Sequence, residues 1–320
     1  MVRINRGRMS KNNRWLAIVN LLSGSGRCGR DWEHIARMLY AAGIDFDTVF
    51  TGHRCHAIEL AERGIVEDGY RNLIAIGGDG TVHEVANGIL RQTAVPSEQI
   101  KMGVVPVGTG NDWIRTYGIP KEYEQAVRVI AAGKEFVQDV AKVEYTGRDG
   151  ERAERYCVNI CGMGLDAAVN LRVCQMKDKG RNGKAAYMTQ LVKSVLSYRS
   201  CRMTVNVDGV NEAKGSIMSI AVGIGQYNGS GMWQLPGSVA DDGELDVTVI
   251  ETMSVPHIAM VVGRLFDGKL YNLKRVHNYR GRNISVSSDE VREVEIDGEA
   301  LGTTPVTLTT EPHRLRIIVP

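Results

Sequence analysis

Residues 72–112, NLIAIGGDGTVHEVANGILRQTAVPSEQIKMGVVPVGTGND, decide the fold. An apolar run, Leu73 to Ile76, stops at a glycine turn, Gly77-Gly78-Asp79-Gly80-Thr81, and a helical pattern then continues through Leu90. A second run, Lys101 to Val105, ends in another glycine loop, Val107 to Asn111. Short apolar runs bounded by such turns read as buried strands. The same unit recurs upstream. Trp15 to Val19 reads as a strand, followed by a glycine loop from Leu21 to Arg30 and a helix from Asp31 to Ala42. Asp45 to Phe50 is a further strand, with a helix from about His56 to Glu67. Strand-loop-helix alternation predicts an α/β domain over residues 1–138, with a parallel sheet covered by helices. Ligands of such sheets bind beyond the carboxyl ends of the strands, where all three glycine loops fall.

After Gln138 the texture changes. Short β-rich runs follow one another: Val140 to Tyr145, Tyr156 to Ile160, Met203 to Val207, Ser216 to Gly223, Leu245 to Glu251, Asn283 to Ser287, Val291 to Ile296 and Leu315 to Val319. Asp208-Gly209 has the composition of a hairpin turn. Two helical stretches interrupt them, near Lys184 to Tyr198 and Pro256 to Phe266. Residues 139–320 therefore read as a second, antiparallel β domain.

Composition narrows the function classes. The chain has 320 residues, 43% hydrophobic and 24% charged, which excludes disordered, collagen-like and coiled-coil readings. Lys and Arg number 39 against 37 acids, so a dedicated nucleic-acid binder is a poor reading. No apolar stretch approaches the roughly 20 residues that span a bilayer. The first 14 residues are basic but lack an apolar core, which argues against a secretory signal. Six scattered cysteines without a C-x-x-C pair point to reduced thiols in a cytoplasmic protein.

The loops carry the chemistry. Gly24-Ser25-Gly26-Arg27-Cys28-Gly29 satisfies G-x-G-x-x-G, and Asp45 lies where a ribose-binding acid would be wanted. It also approaches a Walker A motif, with Arg30 and Asp31 in place of Lys and Ser/Thr, so the usual cation on the β/γ-phosphates is missing. A loop that approaches phosphate at a helix start fits better than a dinucleotide site. In the second loop, glycine N–H groups and the helix start suit phosphate. Asp79 there would repel it, unless Mg²⁺ or an ordered hydrogen-bond network intervenes; an N-cap is the plain alternative. In the third loop Gly108 and Gly110 allow close approach, Thr109 and Asn111 offer neutral hydrogen bonds, and Asp112 suits a helix cap.

GGDGTVHEVANGI and PVGTGNDWIRTYGIP together resemble the catalytic domain of the diacylglycerol kinase family, which includes bacterial diacylglycerol kinases and the related sphingosine and ceramide kinases. The resemblance continues through Val158 to Ala167, Asp241 to Asp246 and Ile296 to Glu299, and so covers nearly the whole chain. It implies an N-terminal nucleotide domain, a C-terminal antiparallel β-sandwich and an ATP- and Mg²⁺-dependent transfer to the hydroxyl of diacylglycerol or a similar lipid alcohol. Nucleotide would meet Asn20, Ser23, Gly24, Thr51, Gly77, Gly78, Asp79, Gly80, Thr81, Glu84, Gly108, Thr109, Asn111 and Asp112. Asp297 and Glu299 would supply the catalytic carboxylates. A lipid hydroxyl is a poor acid and needs a placed base as the phosphoryl group transfers; which of the two serves stays open. Asp242 resembles a structural Mg²⁺ ligand, with carbonyls of Val239 and Glu244; the same run is also a plain turn sequence.

The chain departs from the family pattern at Asn20-Leu21, where Asn-Pro is usual, at His83 in place of Asn, and at Tyr227 to Met232. His83 reads either as a phosphate ligand or as a polar helix residue. Residues 171–202 hold eight Lys/Arg and residues 264–282 hold six, each with one acid. With the basic N-terminus they suit peripheral contact with anionic lipid, and Trp113 and Trp233 suit interfacial anchors. A homodimer is compatible with the sequence. Rival readings are a sphingoid-base or ceramide kinase, an NAD kinase-like enzyme with a soluble acceptor, a non-catalytic nucleotide-binding regulator and, last, a nicotinamide oxidoreductase.

Overall fold

A computed structural model describes residues 13–178 and 198–320. Two compact units result: one runs to Gln138 and takes back Arg314–Pro320, the other is Asp139–His313. The sequence reading placed the last residues in the second domain. Their alternating pattern belongs to the first unit because Arg316 and Ile317 pair in parallel with Lys101 and Met102.

In the first unit, β1 (Trp15–Val19) pairs in parallel with β2 (Phe46–Phe50) and with β3 (Asn72–Gly77). β3 pairs in parallel with β4 (Lys101–Pro106). The helices are α1 (Ser23–Ala41), α2 (His56–Val66), α3 (Asp79–Arg91), the short α4 (Trp113–Thr116) and α5 (Tyr123–Ala132). Ala17, Val19, Ile74, Ile76 and Val105 of the sheet are buried with Ile35 and Leu39 of α1 and Val127 and Ile130 of α5. β1, β3 and β4 are apolar at successive positions because both of their faces are covered, whereas β2, with Asp47 and Thr48, is mostly half-buried. Parallel pairing brings the carboxyl ends of β1, β3 and β4 to one edge, and with them the three glycine loops.

α2 and α3 pack closely through Gly88. A methyl there would lie 2.6 Å from both the Ala61 Cβ and the Ile58 carbonyl oxygen. This glycine of the ANG motif is thus a packing residue.

The second unit takes β5 (Glu135–Gly147) from Asp139 onward, β6 (Arg152–Cys157), β7 (Ile160–Gly164), α6 (Leu165–Asp178), β8 (Cys201–Val207) and β9 (Val210–Gly223). A small ribbon follows, β10 (Tyr227–Asn228) with β11 (Met232–Trp233). Then come β12 (Leu245–Glu251), α7 (Val255–Asp267), β13 (Val276–Gly281), β14 (Asn283–Ser288), β15 (Glu293–Ile296) and β16 (Glu299–Ile318). The pairings differ from two separately bonded sheets. β9 pairs with β8 along its first half and with β7 along its second. β16 pairs with β15 over 299–303 and with β14 over 306–309. Since β8 also pairs with β14, and β7 with β15, the antiparallel pairings close into a circuit. Pro305, which has no N–H to donate, sits in β16 where the partner changes.

Among the described residues no helix is long and apolar enough to cross a membrane. The basic N-terminus up to residue 12, and residues 179–197 of the basic 171–202 stretch, lie outside the described residues. Trp113 is 1% exposed and donates its indole N–H to Gln138 Oε1 at 3.2 Å, so it is a core residue instead of an interfacial anchor. Trp233 is half-buried and stacks on Tyr227.

Gly88→Ala should destabilise the chain by about 1–3 kcal/mol through overpacking of backbone. Urea unfolding followed by circular dichroism checks this; an unchanged midpoint would show that the helices can part at no cost.

Candidate active site

The glycine loops of the first unit meet one another. A methyl on Gly108 would lie 2.6 Å from the Gly78 Cα, so the second and third loops touch through bare backbone. The first loop joins them through side chains. Asn20 donates from Nδ2 to Thr81 Oγ1 at 3.3 Å, and the Ser23 and Thr81 hydroxyls lie 3.5 Å apart. Gly24, Ser25 and Gly26 all have positive φ (61°, 59° and 78°), so the loop turns wide before α1 becomes regular. Arg27, just beyond, donates to the Gly108 carbonyl at 3.2 Å.

Asp79 opens α3 but makes no side-chain cap bond at its N-terminus. Its Oδ1 accepts the N–H groups of Asp112 at 2.7 Å and Trp113 at 3.1 Å, at the start of α4. These bonds form an ordered hydrogen-bond network around an acid in a glycine loop. Burial pushes its pKa up, while these N–H donors pull it down. Glu84 acts similarly: its two oxygens accept the N–H groups of Cys55 and Ala57, both at 3.0 Å, at the start of α2. Thr51 lies at the end of β2, with its N–H on the Val19 carbonyl. His83 is 1% exposed and packs on Asn87, so it is an interior residue.

An open depression of about 330 Å³ adjoins the third loop. Gly108, Thr109 and Asn111 line it together with Arg27, Lys121, Glu122 and Tyr123. Arg27 and Lys121 bring positive charge to this depression. Arg27 was legible as a cation between the glycines of the first loop; nothing in sequence marks Lys121, which arrives through the turn before α5.

In the second unit Asp297 and Gly298 form the two-residue hairpin turn between β15 and β16, with φ of 50° and 87°. Two positive φ values in succession are what a tight hairpin with right-handed strand twist requires. Asp297 is buried, and its Oδ1 accepts from Asn159 N–H at 2.9 Å, Ile160 N–H at 3.1 Å and the Cys157 thiol at 3.1 Å. Its Oδ2 accepts from Val158 N–H at 2.9 Å. Glu299, the other predicted carboxylate, is half-buried at the start of β16.

These positions can be compared with known proteins. The profile described as the diacylglycerol kinase catalytic domain matches residues 14–143, and that of the YegS C-terminal NAD kinase beta sandwich-like domain matches residues 159–319. The chain belongs to the diacylglycerol kinase family of lipid kinases. It is 24% identical to a diacylglycerol kinase of Mycobacterium tuberculosis over 305 residues, 95% of this chain and 94% of that one. It is 25% identical to a YegS-like lipid kinase of Xanthomonas oryzae pv. oryzae over 303 residues, 94% and 95% of the two chains. Among solved structures, a diacylglycerol kinase from Bacillus anthracis matches with a TM-score of 0.71 and 22% identity, covering 98% of each chain. Yeast NADH kinase, complexed with NADH, shares the fold at a TM-score of 0.51, 11% identity, 96% of this chain and 83% of its own.

The acid turn of this family member rests on a residue that the motif does not mark. Glu295, 1% exposed, accepts the Gly298 N–H on Oε2 at 2.7 Å and the Asn228 amide on Oε1 at 3.0 Å. Gly162 on the neighbouring strand leaves room for it: a methyl there would lie 2.6 Å from Oε1. Burial pushes Glu295 up to about 8. Burial likewise raises Asp166, which accepts from Ser219 and Gln234, to about 6. The available signal was an acid inside an otherwise apolar strand pattern, two residues before the turn.

The family's structural Mg²⁺ position does not fit this chain as it stands. Asp242 accepts the Glu244 N–H on Oδ1 at 3.1 Å, and its Oδ2 receives the Arg280 guanidinium. The Glu244 carboxylate also faces Arg280, at 3.4 Å, and Val239 is exposed. The carboxylate expected to hold an ion thus already holds a cation.

Glu295 sets a pH dependence of stability. In the unfolded chain it ionises near 4.5; folded, near 8, so the folded protein holds the extra proton between these values. Its contribution is full below 4.5 and is lost as pH rises through about 8. Asp166 adds a loss of the same sign as pH rises through about 6. Glu295→Gln should flatten the fall of the urea midpoint from mildly acidic to mildly alkaline pH. A fall as steep as in the parent protein would contradict this.

Proposed function

We propose that this chain transfers the γ-phosphoryl group of MgATP to the free hydroxyl of diacylglycerol or a similar lipid alcohol. The observation that carries this reading is the meeting of three glycine loops beside Arg27 and Lys121, in a chain of the diacylglycerol kinase family. Bare backbone at Gly78 and Gly108 allows phosphate oxygens to approach main-chain N–H groups, and the two cations offset the triphosphate charge. Asp79 and Glu84 serve the nucleotide indirectly, by fixing the segments that follow the loops.

At the acceptor, the hydroxyl proton leaves as its oxygen forms the bond to phosphorus and ADP departs with the cleaved bridging oxygen. We assign proton acceptance to Glu299. Asp297 is buried and its oxygens take three main-chain N–H groups, which suits it to hold the turn; Glu299 is the acid of the pair that solvent reaches. The lipid is met at a membrane surface. Support for this comes from Met260 and Phe266 of α7, which are 51% and 55% exposed.

Glu299→Gln should lower turnover by about 10²–10⁴-fold while leaving thermal stability and nucleotide binding intact, as loss of a general base does. Labelled ATP with diacylglycerol vesicles reads this out as labelled phosphatidic acid; near-normal turnover in the variant would overturn the assignment. Transfer to sphingoid base alone would keep the reaction and change the acceptor. Arg27→Ala and Lys121→Ala should each weaken ATP binding by about 10-fold or more, with contacts to charged phosphate at stake. Unchanged affinity in both, by calorimetric titration, would remove the phosphate assignment of this depression.

A further inference from the structure

The acidic turn before β12 lies where the family pattern implies a structural divalent ion. Its surroundings supply a different cation. Asp246, the second residue of β12, stands directly across from Arg280 of β13 in the antiparallel register. That pairing carries the guanidinium back over the turn. Its Nε lies 3.4 Å from Asp246 Oδ1, one terminal nitrogen lies 3.4 Å from Glu244 Oε2, and the same nitrogen bonds Asp242 Oδ2. Three carboxylates thus converge on one fork of donors, a geometry that guanidinium satisfies and a lysine would not.

The rest of the turn is held by main chain. Asp139, fully buried, accepts the Gly243 N–H at 2.6 Å on Oδ2 and the His313 N–H at 2.7 Å on Oδ1. Asp139 N–H in turn donates to the Ala240 carbonyl at 2.8 Å. Both oxygens of Asp242 are bonded, one to Glu244 N–H and one to Arg280. A divalent ion at Asp242 would have to displace the guanidinium, or bear its positive charge within bonding distance of the same oxygen.

We infer that Arg280 takes the place of a structural divalent cation in this chain: the carboxylates of the 242–246 turn share one guanidinium built into the fold, which offsets part of their charge, and the order of the turn does not depend on Mg²⁺. The inference concerns folding and does not rest on the proposed reaction. It separates a Mg²⁺ ion that arrives with ATP from one that belongs to the protein.

The test is thermal unfolding of the nucleotide-free full chain, in millimolar Mg²⁺ and in EDTA. The parent protein should show the same midpoint in both. Arg280→Met keeps the stem and removes the charge; it should lose several degrees, since about 1 kcal/mol moves Tm by roughly 2–4 °C at this unit size, and should regain part of the loss with Mg²⁺. Asp242→Asn should lower the midpoint equally in both media. A parent midpoint that rises with Mg²⁺, with the rise abolished in Asp242→Asn, overturns the inference, and so does an Arg280→Met midpoint equal to that of the parent. Should Arg280→Met fail to fold, Mn²⁺ titration of the nucleotide-free parent, followed by electron paramagnetic resonance, decides. Absence of a tight site supports the guanidinium, and a tight site lost in Asp242→Asn refutes it.

Discussion

A carboxylate that accepts main-chain N–H groups from a distant segment recurs at four places in this protein. Asp79 holds the start of α4, Glu84 the start of α2, Asp139 the 242–246 turn, and Asp297 the backbone of residues 158–160. The physical cause is common to all. Loops and helix starts leave N–H groups without partners, and a buried N–H without one costs about as much as a lost hydrogen bond. A carboxyl group offers two acceptor oxygens on one short side chain. Each acid thereby converts a Gly-rich or irregular segment, weakly specified on its own, into a fixed surface.

That constraint explains how bare backbone can serve as a binding surface. Gly78 and Gly108 contribute no side chain, so neither could hold its loop in place. The loops are instead tied by Asp79, by the Asn20–Ser23–Thr81 hydroxyl and amide contacts and by Arg27 on the Gly108 carbonyl. Positive charge enters from the side, through Arg27 and Lys121. The glycine backbone is neutral and positioned; the charged side chains lie next to it.

In the second unit acids are layered by burial. Glu295 lies beneath the turn with its pKa pushed up to about 8, Asp297 is buried on main-chain donors, and Glu299 reaches solvent. A fourth group, at 242–246, shares the single guanidinium of Arg280 from the adjacent strand. Similar residue types therefore do separate jobs, and what separates them is which donors reach each oxygen.

Much of this was legible in the sequence. Apolar runs, glycine turns and helical periodicity are local, so the strand-loop-helix order of the first half, the β-rich second half, the three loops and the Asp297-Gly298-Glu299 turn could be read directly, and the motifs carried the family. The roles of acids within those motifs could not. That Asp79 and Glu84 accept main-chain N–H groups and that Asp242 faces Arg280 could not be read, because sequence shows a carboxylate without its donors. The return of residues 314–320 to β4, the closed strand circuit, the interior place of Trp113 and the pairing of Arg280 with the acidic turn depend on contacts between residues far apart in the chain. Only the folded backbone brings such partners within bonding distance, and for a charged or polar side chain the partner determines the function.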